Sequence, residues 1–178
     1  LLAMPAVTQM NGELDLRITV MDPERRAGAV LGVVHDIPDF RGSGLLLSDL
    51  IIAPDESASR MRRGEVGLAV AAGRQYRSGE LVRLYYEVYG LAEEATYRTR
   101  IVLAQQASPL WRAVQQVTGR EPNVVALQFE ERAGASHAVF GLQQLRTVST
   151  AGLNAGTYRL RIELTDTATG RTAVRERL

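Results

Sequence analysis

The residues with the clearest potential for binding chemistry are tyrosines on one predicted strand, 82–89. This segment holds three tyrosines together with an arginine and a glutamate. Because side chains alternate between the two faces of a strand, we expect Tyr86 to point into a core. The outer face then carries Arg83, Tyr85, Glu87 and Tyr89. Such a row is typical of a surface that binds protein or sugar, but a helix or another domain could equally cover it, and the sequence leaves both interpretations open.

The only tryptophan, Trp111, is a further candidate for ligand binding, as an exposed platform. It lies in the segment 109–118, which has Ser108 before it, a proline at its first position and Gly119 after it. These are the start and stop signals of a short helix. We favour packing of Trp111 against the body of the protein, because large aromatic side chains are usually buried.

Patterns that would indicate catalysis or metal binding are missing from the sequence. There is no cysteine, which excludes disulfides, thiolate nucleophiles and cysteine-ligated metals. The two histidines, His35 and His137, have no second ligand at the spacing of a metal motif. The carboxylates of 93–94 and 130–131 are sequence neighbours, and neighbours on a strand point to opposite faces. The sequence therefore predicts a protein that is not an enzyme, with no catalytic residue, no metal and no cofactor.

The composition is that of an ordinary globular protein. The chain has 178 residues, 46% of them hydrophobic, and a formal net charge of +1. This length suits one domain, or one domain and a fragment. Near-neutral charge without a basic stripe gives no reason to expect nucleic acid as a partner. No run approaches the roughly 20 apolar residues of a membrane helix, so we expect no membrane insertion by this segment.

The elements that must position these residues are mostly strands. Apolar and polar residues alternate through 14–20, 82–88, 97–103, 125–129 and 158–164, and turn residues separate these stretches. Weaker strands are predicted near 30–34, 45–53, 66–71, 138–145 and 172–178. Many short strands at near-regular spacing predict an all-β fold, an immunoglobulin-like antiparallel β-sandwich with one short inserted helix at 109–118. Tyr158, which leads an alternating set, is expected to be a buried anchor.

An internal repeat divides the chain. Residues 12–22 align without a gap to 156–166, and 29–30 then fall on 173–174. Both copies have a turn glycine, a strand containing Leu-Arg-Ile and a following aspartate, which predicts the same hairpin used twice. We therefore expect 1–42 to be a β-hairpin that closes a preceding β-sandwich unit, followed by a linker at 38–44. Residues 43–178 are predicted to form the immunoglobulin-like sandwich.

Three stretches within 45–178 carry a family resemblance. They are Leu47-Ser48-Asp49-Leu50 with the Ile-Ile-Ala that follows, the stretch from Gly79-Glu80 to Tyr85-Tyr86-Glu87-Val88-Tyr89-Gly90-Leu91, and the stretch from Leu153 through Asp166 to Gly170-Arg171. Together they resemble the C-terminal β-sandwich region of bacterial proteins of the GWxTD type. The motif that names this family does not occur, since Trp111 is flanked by Leu110 and Arg112.

The resemblance implies a non-catalytic structural or protein-interaction module of a larger bacterial protein that is exported to the periplasm or cell envelope. The chain starts without a methionine, so we expect further domains of the same polypeptide, or a protein partner, to contact it. Two other functions stay open. One is a carbohydrate-binding sandwich that uses Tyr85, Tyr89 or Trp111 as stacking platforms beside Arg83. The other is the accessory domain of an enzyme whose catalytic part lies upstream.

Overall fold

The fold is built from strands. The computed structural model describes residues 2–10, 12–22, 24–40, 42, 44–54, 60–63, 66–69, 75–106, 124–134 and 141–178. These residues form thirteen strands, all paired antiparallel, and they contain no helix. The predicted all-β fold of antiparallel sheets is therefore confirmed. The predicted helix at 109–118, and Trp111 with it, lie outside the described residues.

The chain divides into two compact units, Leu1–Gly42 and Ser43–Leu178. The first unit is a three-stranded sheet in the order β1-β2-β3, with β1 at Leu2–Met10, β2 at Glu13–Asp22 and β3 at Ala27–Asp36. The sequence predicted the β2–β3 hairpin but not β1, which pairs with β2 along its whole length. The missed strand lacks polar alternation and contains Pro5, a residue that sheets tolerate on an edge strand such as this one.

The second unit contains the sandwich. One sheet has the order β10-β9-β12-β13 and the other β11-β8-β4, with β5 also paired to β8, while β6 and β7 pair with each other. The strands are β4 (Leu46–Leu47), β5 (Ile51–Pro54), β6 (Arg60–Arg63), β7 (Val66–Ala69), β8 (Leu81–Tyr89), β9 (Thr96–Gln105), β10 (Val124–Arg132), β11 (Leu142–Ser149), β12 (Tyr158–Asp166) and β13 (Thr172–Arg177).

This strand order is that of an immunoglobulin-like domain. β4 and β5 take the place of strand A, β8 of B, β9 of C, β11 of E, β12 of F and β13 of G. The strand after C, β10, pairs with C instead of joining the sheet of A, B and E. The three central strands β8, β9 and β12 are paired on both sides, so their backbone groups are satisfied inside the sandwich.

The core lies between the two sheets. It consists largely of the alternating side chains that the sequence places on one face of each strand, and it excludes water by packing them against the opposite sheet. The central buried residues are Val82, Leu84, Tyr86 and Val88 from β8, Tyr97 and Ile101 from β9, and Leu160, Ile162 and Leu164 from β12.

Tyr158 differs from the prediction because it is only partly buried. Its hydroxyl donates a hydrogen bond of 2.9 Å to the carbonyl oxygen of Asn154, four residues upstream. A tyrosine at the start of strand F that bonds back to the preceding loop is a tyrosine corner. To reach that loop the side chain must lie at the end of the core, which explains its exposure.

The two repeated hairpins have the same register. Leu16 pairs with Val33 in the first unit, and Leu160 pairs with Arg177 in the second. Each residue of the first pair lies 144 positions before its counterpart in the second (160 minus 16, and 177 minus 33). The same offset relates every other pair that the two ladders share. The sequence repeat is thus also a repeat of strand pairing.

The turns of the two hairpins are stabilised in the same way. The Oδ1 atom of Asp22 accepts hydrogen bonds from the backbone N–H groups two and three residues further on, at 3.1 and 3.2 Å. Asp166 does the same at 3.0 and 3.4 Å. An aspartate that binds the backbone in this way fixes the entry to a turn, so the repeated aspartate has a structural role in both copies.

A left-handed residue ends each of these turns. Arg26 has a φ angle of 49° and Gly170, its counterpart, has one of 70°. Glycine adopts this conformation without strain, whereas a residue with a Cβ atom costs about 1–2 kcal/mol. The second hairpin therefore has the unstrained version of the same turn.

We predict that Gly170→Ala lowers the free energy of unfolding of the second unit by about 1–2 kcal/mol, from backbone strain alone. A Cβ atom at Gly170 meets no other atom within 4 Å, so no clash contributes. The matched control is Gly134→Ala, which also enters open space but does not have a left-handed φ. Equal urea midpoints for the two variants would contradict the explanation.

Candidate functional site

The candidate binding residues on β8 are largely inside the protein. Tyr85 and Glu87, expected on the outer face, are each only 4% exposed, and Arg83 and Tyr89 are partly buried. The Tyr85 hydroxyl donates to Glu87 Oε1 at 2.5 Å, and the Tyr89 hydroxyl donates to Glu87 Oε2. A carboxylate can be buried when it accepts such bonds, so these tyrosines satisfy Glu87.

The burial of Tyr85 limits its use as the predicted platform for a stacked sugar. Stacking of a sugar requires an open aromatic face, and the Tyr85 ring has almost no exposed surface. Its hydroxyl is directed to Glu87 together with that of Tyr89, which makes the two tyrosines parts of one hydrogen-bonded cluster. Trp111 lies outside the described residues, so its role as a platform stays a prediction.

A further polar group spans the two sheets, and we call it the inter-sheet polar cluster. It consists of Tyr97, Glu131, Gln144 and Arg146, from strands β9, β10 and β11. The Tyr97 hydroxyl donates to Glu131 Oε2 and accepts from Gln144 Nε2, both at 3.0 Å. Arg146 Nη2 donates to Glu131 Oε2 and to Gln144 Oε1. The only carboxylate of the cluster is thus paired with a guanidinium, and the cluster joins β10 to β11 across the core.

Three buried polar atoms in or beside this cluster have no hydrogen-bond partner among the described residues. They are the hydroxyls of Tyr86 and Thr99, both 0% exposed, and Nε of Arg146. The Arg146 guanidinium also lies 4.5 Å from the centre of the Phe129 ring, a distance typical of a cation–π contact. The polar interior is therefore stabilised by one arginine that contacts both sheets.

Burial controls the ionisation of the two core tyrosines. It raises the pKa of Tyr97 well above its ordinary value, and the hydrogen bond to Glu131 and the charge of Glu131 act in the same direction. Burial also raises the pKa of Tyr86, and the nearby positive charge of Arg146 opposes this rise only in part. Both hydroxyls therefore remain protonated over the physiological pH range.

Among the strands whose side chains the structure describes, the most exposed apolar one is β3, at the edge of the first sheet. All ten of its residues are exposed, including Val30, Leu31, Val33 and Val34. The strand carries no formal charge before its last residue, Asp36. Long apolar edge strands pair readily with other strands, and proteins usually protect them with charges, prolines or bulges. None of these occurs in the interior of β3.

The repeat supplies a direct comparison for this edge. At the offset of 144 residues, the 31–33 segment Leu-Gly-Val of β3 corresponds to Arg175-Glu176-Arg177 of β13, which is also an edge strand. Arg175 Nε donates to the carbonyl oxygen of Leu47 at 2.9 Å, and Arg177 donates to that of Leu50. The charges therefore protect the β13 edge and hold it to the opposite sheet, and β3 lacks them.

Neither the inter-sheet polar cluster nor the β3 edge was predicted from the sequence. The cluster brings together residues 97, 131, 144 and 146, whose proximity depends on long-range strand pairing. The β3 edge had a local signal, because the aligned hairpins differ in charge at three successive positions. A comparison of the positions at which the two copies of the repeat differ, as well as those at which they agree, would have identified this strand.

The described part of the chain offers neither a metal site nor a membrane-spanning helix. Its His, Asp and Glu side chains form no group of three that could hold a metal ion. No helix there is long and apolar enough to cross a membrane. No protein-family model, curated protein or solved structure matches the sequence.

The raised pKa values predict a loss of stability in alkali. The unfolded chain releases its tyrosine protons near pH 10, the ordinary value, while folded Tyr86 and Tyr97 keep theirs. The unfolded state then binds fewer protons, so the free energy of unfolding falls as the pH rises above about 10. Urea titrations across this pH range measure the decline.

The Tyr97→Phe variant tests whether Tyr97 contributes to this alkaline loss of stability. It removes the hydrogen bond that Glu131 Oε2 accepts from Tyr97 and the one that Gln144 Nε2 donates to Tyr97, so that both residues keep only their contacts with Arg146. This loss should cost about 1–3 kcal/mol at neutral pH. It should also make the alkaline decline shallower, because one shifted tyrosine is gone. The control is Tyr158→Phe, whose hydroxyl bonds the backbone at an exposed position and should cost less. If the free energy of unfolding falls equally with pH in wild type and in Tyr97→Phe, the prediction is contradicted.

Proposed function

We propose that this chain is a non-catalytic structural and protein-interaction β-sandwich module, and that β3 is its interaction element. The observation that supports this is the exposure of all ten residues of an apolar edge strand. Backbone N–H and C=O groups on such an edge, together with side chains on both faces, bind an extended segment of another protein by strand addition. The corresponding edge in the second unit is protected by charges, so the hairpin itself does not require an open edge.

The kind of protein that contains this module is also a proposal. We infer from the resemblance to GWxTD-type proteins that the module belongs to a larger exported or envelope-associated bacterial protein. Residues in two of the stretches that carry the resemblance have structural roles in the sandwich. Leu47 and Leu50 are each 2% exposed, and Ser48 Oγ accepts a hydrogen bond of 2.9 Å from the N–H of Glu87. Gly90 has a φ of 75° and lies against the backbone of Gly44, where a Cβ atom would not fit.

The test of strand addition uses a fluorescent ten-residue peptide of alternating valine and threonine as the probe. Anisotropy of this peptide should rise and saturate with the full chain. Binding should be lost in Leu31→Arg/Gly32→Glu/Val33→Arg, which transfers the charges of β13 to β3. These three positions are exposed, and Gly32 has open space around it, so the substitutions do not disturb a core.

Two controls make this test specific. Val174→Arg adds the same net charge to the β13 edge and should leave peptide binding unchanged. A peptide with N-methyl groups at alternate residues cannot donate to the edge and should not bind. Equal binding of the peptide to wild type and to the triple variant would contradict the assignment of β3.

A further inference from the structure

We infer that the strand that β3 accepts is β3 of a second copy of this chain, paired antiparallel in one register. This inference rests on the proposed function of β3 and adds the identity of its partner. A two-fold axis at the middle of the strand would join two three-stranded sheets into one sheet of six strands.

The backbone limits the possible registers. The N–H of Ile37 donates to the carbonyl oxygen of Gly12 at 2.6 Å, at the end of the β2–β3 ladder. Hydrogen-bonded pairs alternate along an antiparallel ladder, so the odd-numbered residues of β3 bond to β2. The N–H and C=O groups that face the open edge are then those of Gly28, Val30, Gly32, Val34 and Asp36. In a self-paired edge, these even-numbered residues must face one another.

Charge selects among the remaining registers. A register centred on Leu31 places Arg26 of each copy opposite Asp36 of the other. A register centred on Val30 leaves Asp36 beyond the end of the second copy's β3, at its turn, and one centred on Gly32 leaves Asp36 opposite Gly28, so neither gives Asp36 an arginine partner. Opposite charges that face each other across strands stabilise pairing and like charges weaken it. The Leu31 register is therefore favoured.

In the part of one copy that the structure describes, the charges at both ends of β3 lack an ion-pair partner. Asp36 stands opposite Glu13 across the β2–β3 ladder, which brings two carboxylates together. Within the described part of the chain, no ion pair involves Asp36, Glu13 or Arg26, whereas the neighbouring Arg25 pairs with Asp22. Antiparallel pairing brings Arg26 of the second copy to the two carboxylates, once at each end of the strand.

The apolar interior of β3 fits the same arrangement. Around the axis, Leu31 faces its own counterpart, and Val30 faces Gly32 of the other copy. The valine therefore faces a glycine across the two strands. Between the two ends of β3 no charged residue opposes the pairing. The exposed side chains of Val30, Leu31, Val33 and Val34 would be covered in part by the second strand.

Sedimentation velocity of the full chain tests this inference. From low to high micromolar concentration, wild type should shift from the monomer mass to twice that mass. Arg26→Asp and Asp36→Arg each replace two attractive pairs of the dimer with repulsive ones, and each should weaken association about tenfold or more. The double variant Arg26→Asp/Asp36→Arg restores opposite charges and should return association to within about threefold of wild type.

The matched control is Arg25→Asp, which changes the net charge equally, one residue away from the predicted pair. It should associate like wild type, and circular dichroism should show that every variant is folded. A wild type that stays monomeric overturns the inference, as does a dimer that the single reversals do not weaken or the double variant does not rescue. If the chain is monomeric but binds the valine–threonine peptide at β3, the proposed function holds and only the identity of the partner is wrong.

Discussion

The hydrogen-bonding demand of a sheet edge is the constraint on which both units of this protein depend. Every strand exposes N–H and C=O groups along its sides, and these groups must be paired or kept from pairing with the wrong strand. In the second unit, β8, β9 and β12 are paired on both sides, and the outer strand β13 carries arginines that bond carbonyl groups of the opposite sheet. The same side chains thus block an edge and close the sandwich.

The first unit meets this constraint differently. Its β2–β3 hairpin has the register of β12–β13 and the same aspartate-stabilised turn, so the backbone of the two hairpins is equivalent. The difference lies in three successive residues of the outer strand, where charge is replaced by Leu31, Gly32 and Val33. Since the hairpin forms with or without these charges, their loss changes what the edge can bind rather than whether the hairpin folds.

Much of the fold could be predicted from the sequence, because alternation reports directly on strands with one buried face. Leu160, Ile162 and Leu164 are buried as that pattern indicates. The pattern was less informative at sheet edges. Leu127, on an inward-facing position of edge strand β10, is 38% exposed. The strand β1, with its proline, was not recognised at all.

The functional residues were harder to predict, since their environment depends on distant parts of the chain. Alternation placed Tyr85 on the outer face of β8 but could not show that this face is covered there or that Glu87 accepts bonds from two tyrosines. Arg146 likewise lies beside Gln144 on the inward face of β11, and its partner Glu131 is contributed by a strand of the other sheet. Such pairings require the tertiary structure.

Amide hydrogen exchange of β3 is the sharpest test of the proposed pairing, because it reports on the edge groups themselves. If the edge is open and binds a second copy, the N–H groups of Gly28, Val30, Gly32, Val34 and Asp36 exchange rapidly at low protein concentration and become protected as concentration rises. The odd-numbered amides of β3, bonded to β2, should be protected at both concentrations. Fast exchange of the five edge amides at every concentration, or protection of them in the monomer, would contradict the claim that this edge is open and binds a second copy.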